Sequence, residues 1–294
     1  MVERSSHVVL TGLAFGESPR WHDHRLWFSD FYRHAVFSLD LDTLEERHEL
    51  SVPGQPSGLA WSPDGALLVV SMTDHRLLRV TDGSSTTLAD LRDYCGFWAN
   101  DLLVGPRGHA YVGNFGFDLD ALLAAEGVAG LLAAPPPTTN LVVLDPSGEV
   151  RQVVPDMSFP NGMVLTPDGA TLIVAETLRS RLSAFRVAPD GTLHDRRVFA
   201  DLGPVAPDGI CLDAEGCVWV ANAIAPDVRR VTEGGEVLDR VTTTQPAFAC
   251  ALGGASRTTL FAMTAPTSSR FVVSDARDGA IETVEVDVPG AGWP

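Results

Sequence analysis

Four polar side chains of this sequence recur at one fixed distance before a glycine. Eight residues separate the members of each pair, which are Ser57 and Gly65, Asn100 and Gly108, Asn161 and Gly169, and Asp208 and Gly216. The first repeat has no such glycine, and its equivalent position falls within a residue of Glu17; in the last repeat the position falls near Cys250. The constant spacing predicts one structural position that is repeated around the fold.

These side chains offer oxygen atoms, and neither His nor Cys accompanies them as a metal ligand. Carboxylate and amide oxygens suit Ca²⁺ or Mg²⁺ and argue against structural zinc or copper. A divalent ion held by Glu17, Asn161 and Asp208 would polarise a carbonyl group that water attacks. A carboxylate beside it would act as general base or as nucleophile.

Turn formation is the simplest alternative for Asp208, which lies in Pro207-Asp208-Gly209. Residues 213–216 already supply the turn of that repeat, so Asp208 is out of register for this role. Asn161 likewise precedes its own turn at residues 167–169. The alternative that stays open is that these oxygens satisfy backbone donors at strand ends.

Short apolar segments that recur along the chain must hold these side chains. Their second residues lie 41 to 46 residues apart, except for one interval of 62 that contains an insertion. A period in the low forties with four strands per unit is typical of a β-propeller blade. The segments are residues 26–30, 67–71, 110–114, 172–176, 218–222 and 260–264. The sequence therefore predicts an all-β protein, a six-bladed β-propeller.

The two ends of the chain and the insertion complete this interpretation. The strand at residues 7–10 has no blade of its own, so we expect it to complete the last blade and close the ring, giving a single domain over residues 1–294. The insertion lies at about residues 115–139 of blade three. Its sequence predicts a short helix, which Asp118 caps and which ends at Gly127. It is either a surface excursion that packs its own leucines or a wall or lid over one end of the channel.

Composition excludes several classes of function. The chain carries 21 basic and 38 acidic residues, a net charge of −17, which disfavours nucleic acid and membrane surfaces as partners. Every basic residue is Arg, so reactions that need a Lys amine are excluded. The first residues lack the apolar core of a secretory signal, and four scattered Cys residues indicate reduced thiols more than a disulfide or a zinc site. These features predict a cytoplasmic protein.

Several motifs, in this order along nearly the whole chain, resemble the gluconolactonase and regucalcin (senescence marker protein) family. They are Gly16-Glu17-Ser18-Pro19-Arg20-Trp21, Asn100-Asp101, Pro160-Asn161-Gly162-Met163, Pro207-Asp208-Gly209 and residues 213–219. The resemblance implies a six-bladed propeller that acts as a metal-dependent lactonase or related hydrolase. Glu17, Asn161 and Asp208 would bind one divalent cation, with Ca²⁺ favoured over Mg²⁺, Mn²⁺ and Zn²⁺. Asp208 would also be the catalytic acid or base.

The residues next to Asn100 depart from that family in one respect. Members that act on sugar lactones often have Arg two residues before the Asn-Asp pair, where this chain has Trp98. The substrate-binding candidates here are Trp98, Asn100 and Asp101. An indole offers an apolar face and a single donor, which favours a less polar lactone or ester than gluconolactone; packing is the alternative role for Trp98.

The sequence thus predicts a lactonase or esterase-type hydrolase that is a monomer or weak homo-oligomer and whose partner is a small lactone or ester. One alternative is another metal-dependent reaction on the same site, such as phosphotriester or ester hydrolysis or a biosynthetic step. The other is a binding propeller in which the metal is structural.

Overall fold

The computed structural model describes residues 2–133 and 137–292. Its strands form six sheets arranged as the blades of a propeller, so the predicted six-bladed β-propeller is confirmed. The chain begins with β1 (Val2–Ser5) and β2 (His7–Leu13). Strand β2 becomes the outer strand of blade six, and β1 adds a parallel fifth strand to blade five.

Each blade places its first strand nearest the axis and its last strand outside. Blade one contains β3 (Gly16–His22), β4 (Arg25–Asp30), β5 (Ala35–Leu39) and β6 (Glu46–Ser51). Blade two contains β7 (Pro56–Trp61), β8 (Leu67–Ser71), β9 (Arg76–Thr81) and β10 (Ser84–Asp90). Blade three contains β11 (Ala99–Val104), β12 (Ala110–Asn114), helix α1 (Leu119–Ala133), β13 (Thr139–Leu144) and β14 (Val150–Met157).

The second half of the ring repeats this order. Blade four contains β15 (Pro160–Leu165), β16 (Thr171–Glu176), a 3₁₀ turn (Thr177–Arg179), β17 (Arg181–Val187) and β18 (Leu193–Asp201). Blade five contains β19 (Pro207–Leu212), β20 (Val218–Asn222), β21 (Asp227–Val231) and β22 (Val237–Thr242). Blade six contains β23 (Ala247–Gly253), β24 (Thr259–Thr264), helix α2 (Arg270–Val273) and β25 (Gly279–Glu285).

The core lies between neighbouring blades. The second strands are apolar on both faces, since each is covered by a blade on either side; all five residues of β8 are buried. Between blades two and three, for example, Val70 packs with Leu102 and Val112. Outer strands face water and are correspondingly polar, as in β10. No described helix has the length and apolar character that crossing a membrane requires.

The insertion of blade three forms α1. Asp118 precedes the helix, and its Oδ1 accepts a hydrogen bond of 3.1 Å from the backbone N–H of Ala121, the cap expected from the sequence. At Gly127 the backbone leaves the helical region, with φ +66°, but helical residues resume and continue to Ala133. The first helix therefore ends at Gly127, as the sequence predicts, and a second helical segment follows it. Residues 134–136 lie outside the described residues.

A buried polar residue ends the second strand of every blade and pairs with the first residue of the inner strand. These residues are Asp30, Ser71, Asn114, Glu176, Asn222 and Thr264. Three of them also accept a hydrogen bond from the backbone just before the inner strand, from Ala14 (2.9 Å), Ser158 (3.0 Å) and Ala206 (3.3 Å) respectively. The three segments so fixed are the ones that lead into Glu17, Asn161 and Asp208.

Glu176 is the most heavily bonded of these residues. Its fully buried carboxylate accepts hydrogen bonds from Ser158, Ser183, Arg181 and Arg196. Burial alone would raise its pKa, but the bonds from Ser183 and Arg196 outweigh burial, and the pKa of Glu176 is lowered. The carboxylate thus anchors the start of β15.

We expect Glu176→Ala to lower the free energy of unfolding by about 3–5 kcal/mol, because it leaves the buried donors of Ser158 and Ser183 without an acceptor and two partly buried Arg side chains without their carboxylate. Urea denaturation measures this change. The matched control is Asp195→Asn, which breaks an exposed ion pair with Arg186 and should cost about 1 kcal/mol or less. Equal effects of the two substitutions would show that Glu176 is not an anchor.

Candidate functional site

Four of the predicted site residues are each the second residue of an inner strand. Glu17 has this position in β3, Asn100 in β11, Asn161 in β15 and Asp208 in β19. The strand pairing becomes irregular directly after Glu17 and around the other three residues, and such bulges redirect side chains at the end of a strand. The spacing in the sequence therefore reports a real structural repeat.

The position predicted for blade six is wrong. Ala247 pairs with Thr264 in the way that Pro207 pairs with Asn222, so the equivalent of Asp208 is Phe248. Cys250 lies two residues further along β23 and pairs with Ala262. The error arose because this blade has no turn glycine at the usual distance, and β23 is longer than most inner strands.

Four of the predicted polar residues line one cavity of about 320 Å³: Glu17, Asn100, Asn161 and Asp208. Trp98 lines the same cavity, where its ring stacks on Phe97 at 4.8 Å between centroids. The four polar residues are each at most 8% exposed, so they are shielded from bulk water but reach the cavity. Side chains from four different blades thus meet at one place.

The two amides are fixed by a chain of hydrogen bonds across blades two to five. Ser57 Oγ donates to Asn100 Oδ1 at 3.0 Å, and Asn100 Nδ2 donates to Asn161 Oδ1 at 3.1 Å. Asn161 Nδ2 donates to Thr177 Oγ1 at 3.2 Å, and Thr177 Oγ1 donates to the carbonyl of Pro207 at 2.8 Å. Each amide oxygen keeps acceptor capacity, since a carbonyl oxygen has two lone pairs.

Burial and neighbouring acids raise the proton affinity of both carboxyls. Burial is the main reason that the pKa of Glu17 lies well above its usual range; the neighbouring charges of Asp208 and Asp101 raise it further, and the charge of Arg20 partly opposes the rise. Burial and Asp101 likewise raise the pKa of Asp208. No ion pair within the described residues includes Glu17 or Asp208. Once ionised, two buried carboxylates that form no ion pair have a charge that a cation could compensate.

The donor set fits a hard divalent cation by its chemistry. It combines two carboxylates with amide oxygens and contains no sulfur or imidazole ligand. Residues 2–133 and 137–292 contain no group of three or more His, Cys, Asp or Glu side chains placed to hold a metal ion. Any ion at this site would therefore depend on the Asn oxygens and on water for the rest of its coordination.

Asp101 does not join the other predicted substrate-binding residues. It follows Asn100 in β11 but is not among the residues that line the cavity. Burial raises its pKa to about 6, and the charge of Arg20 opposes that rise. Arg20 itself donates to the carbonyls of Leu59 and Leu102 on the neighbouring inner strands. The structure therefore does not bring Asp101 to the cavity wall, because successive residues of a strand point in different directions.

The cavity also has an aromatic wall, which the sequence did not predict. Trp98 lies two residues before Asn100, and the same offset from Glu17 and Asn161 gives Phe15 and Phe159, which also line the cavity. The repeat that identified the polar residues could therefore have identified these rings. Other aromatic lining residues are Phe31, Tyr32, Phe97, Phe115 and Phe248.

The other missed feature joins the insertion to blade six. Asp120 of α1 lines the cavity, and its Oδ1 accepts a hydrogen bond of 3.2 Å from the backbone N–H of Arg270 in α2. Leu119 and Leu123 of α1 line the same cavity. The insertion therefore forms part of the cavity wall, as one of the two alternatives for it predicted.

Comparison with known proteins gives a family match over most of the chain. The family profile described as "SMP-30/Gluconolactonase/LRE-like region" matches residues 15–266. Regucalcin from Xenopus laevis is 25% identical over 293 residues, which cover 97% of this chain and 91% of that protein. The protein "strictosidine synthase-like 13" from Arabidopsis thaliana is 28% identical over 229 residues and 72% of this chain. The chain spans 54% and 57% of the length of two such plant relatives.

A solved structure supports the fold. A calcium-binding protein, regucalcin, from Agrobacterium tumefaciens superposes with a TM-score of 0.81 over 100% of this chain and 97% of its own. The two sequences are 22% identical, so this likeness concerns the fold alone.

Proposed function

Because the chain belongs to the SMP-30/gluconolactonase/LRE-like family, we propose that it is a metal-dependent hydrolase that opens a lactone ring. The observation that carries the proposal is the meeting of Glu17 and Asp208, two buried carboxyls that form no ion pair within the described residues, with two oriented amides on one cavity. A cavity of this kind, largely apolar with a few convergent polar groups, is typical of a small-molecule site.

Glu17, Asn161 and Asp208 would hold the cation, with Ca²⁺ as the first choice because every donor is a hard oxygen. When bound, a divalent cation polarises a substrate carbonyl and stabilises the negative charge that develops on its oxygen. Asp208 would take a proton from the attacking water at its carboxylate oxygen and later return it to the leaving alkoxide.

Asn100 would orient the substrate. One N–H of its amide is used by Asn161 and its Oδ1 accepts from Ser57, so the second N–H is available to the ligand. Because both bonds fix the amide plane, this donor is positioned before substrate binds. The surrounding rings would exclude water from the reacting ester and strengthen these polar contacts.

A panel of lactones tests the proposed reaction. It contains gluconolactone, simple aliphatic lactones and aryl-substituted lactones, assayed with Ca²⁺-loaded protein by the release of acid. We expect turnover of at least one class, with the less polar lactones preferred. A complete lack of hydrolysis by well-folded, Ca²⁺-loaded protein would refute the proposed reaction.

Trp98 should determine the preference for apolar substrates. We expect Trp98→Arg to shift relative kcat/KM from aryl lactones towards gluconolactone by about 1–3 kcal/mol, because a guanidinium binds hydroxyl groups that an indole cannot. Trp98→Phe keeps an apolar face and should retain the original order. If wild-type protein already prefers gluconolactone, Trp98 does not have this role.

A further inference from the structure

The charges on the cavity wall have one sign. Three described residues that line the cavity are acidic, namely Glu17, Asp120 and Asp208, and none is Arg or His. The chain as a whole has no Lys and a net charge of −17. A cation bound by Glu17 and Asp208 would compensate those two carboxylates but would leave Asp120. An anionic ligand would thus find no basic side chain on the described wall.

The charge of Asp120 is only partly neutralised. Its nearest cation is Arg270, whose Nε lies 3.5 Å from Asp120 Oδ2. The two side chains therefore form an ion pair but no hydrogen bond. The same guanidinium donates to Asp118 Oδ2 at 3.3 Å. One Arg thus serves two Asp residues and leaves a net charge of about −1 at this wall. Asp120 is only 9% exposed, so solvent screens it weakly.

Aromatic rings surround this carboxylate. Tyr32 is close enough for the charge of Asp120 to add to the effect of burial in raising the pKa of its hydroxyl. On the other side, the guanidinium carbon of Arg270 lies 5.5 Å from the ring centre of Trp98. The ring of Trp98 therefore already accepts one cation. Carboxylates combined with aromatic faces are the surroundings in which proteins bind organic ammonium groups.

We infer that the cavity takes a substrate with a protonated amine on an aromatic or similarly apolar body, and that Asp120 is the residue that selects this amine. The inference rests on the proposed function in placing the ester bond of that substrate at Glu17 and Asp208. The amine would donate to the Asp120 carboxylate, and the rings would contact the apolar body. Substrates that carry a carboxylate at the same place would be rejected.

Three probes of nearly equal shape test this inference: phenethylamine, phenethyl alcohol and hydrocinnamate. Their binding to Ca²⁺-loaded protein is measured by isothermal titration calorimetry at neutral pH. We expect phenethylamine to bind about tenfold more tightly than the alcohol, and hydrocinnamate to bind more weakly than either. Asp120→Asn should remove the advantage of the amine and leave the affinity for the alcohol within about twofold.

Glu126→Gln is the matched control, because Glu126 lies in the same helix as Asp120 but is exposed and is not among the cavity-lining residues. It should preserve the preference for the amine. Equal affinities for the amine and the alcohol, or equal losses in the two variants, would overturn the inference. If the amine is preferred but no lactone is hydrolysed, the proposed reaction fails and the ligand class stands. If lactones are hydrolysed without any preference for the amine, the proposed reaction stands and the inference about the ligand class fails.

Discussion

Asp208→Asn should reduce lactone hydrolysis by about 10²–10⁴-fold while the protein stays folded, which is the usual contribution of a general base. Asparagine keeps the shape of the side chain and one oxygen that can coordinate a cation. It removes the negative charge and the proton acceptor, so turnover is affected far more than structure. Initial rates on the best lactone of the panel, compared with circular dichroism spectra, measure both effects.

Asp101→Asn is the control for this substitution. Asp101 is as deeply buried as Asp208, at 7% and 8% exposure, but it is not among the residues that line the cavity. We expect its replacement to change the rate by less than about tenfold, through the loss of one nearby charge. Asp208→Asn protein with a rate within tenfold of wild type would remove Asp208 from the proton transfer.

The sequence was enough to predict the propeller and the polar residues of the cavity, because both depend on a repeat. Glu17, Asn100, Asn161 and Asp208 have equivalent places in four blades; the spacing to a glycine finds the last three, and the repeat places Glu17 to within a residue. The prediction for blade six, which also lacks the glycine that marks the register, fell two residues away at Cys250. Register errors of this kind are expected wherever a turn changes length.

The rest of the cavity could not be predicted from spacing. Asp120 and Arg270 are 150 residues apart, in an insertion and in a connection that no other blade repeats. Their contact depends on how two irregular segments pack over the same end of the ring, which has no local sequence pattern. Asp101 shows that the converse also holds: a residue next to a cavity residue in the sequence need not reach the cavity itself.

Removal of divalent cations with a chelator should abolish hydrolysis, and Ca²⁺ should restore it. The stronger evidence is expected in stability, where a Ca²⁺ concentration 100-fold above its Kd should raise the free energy of unfolding by roughly 2.7 kcal/mol.

The chelated protein retains Glu17 and Asp208 as buried groups with raised pKa values, so its folded state binds more protons than its unfolded state. Its stability should therefore fall as the pH rises from about 5 to about 8.

Bound Ca²⁺ should cancel this pH dependence, because both carboxylates must be ionised to bind it, so the gain from Ca²⁺ increases as the pH rises and offsets the loss seen in the chelated protein. Urea unfolding at both pH values, with chelator and with Ca²⁺, measures the four free energies. The double variant Glu17→Gln with Asp208→Asn is the control, since it removes both charges and both titrating groups. It should gain nothing from Ca²⁺ and lose this pH dependence. If the double variant is stabilised by Ca²⁺ as much as wild type, the ion binds elsewhere and the axial cation site is wrong.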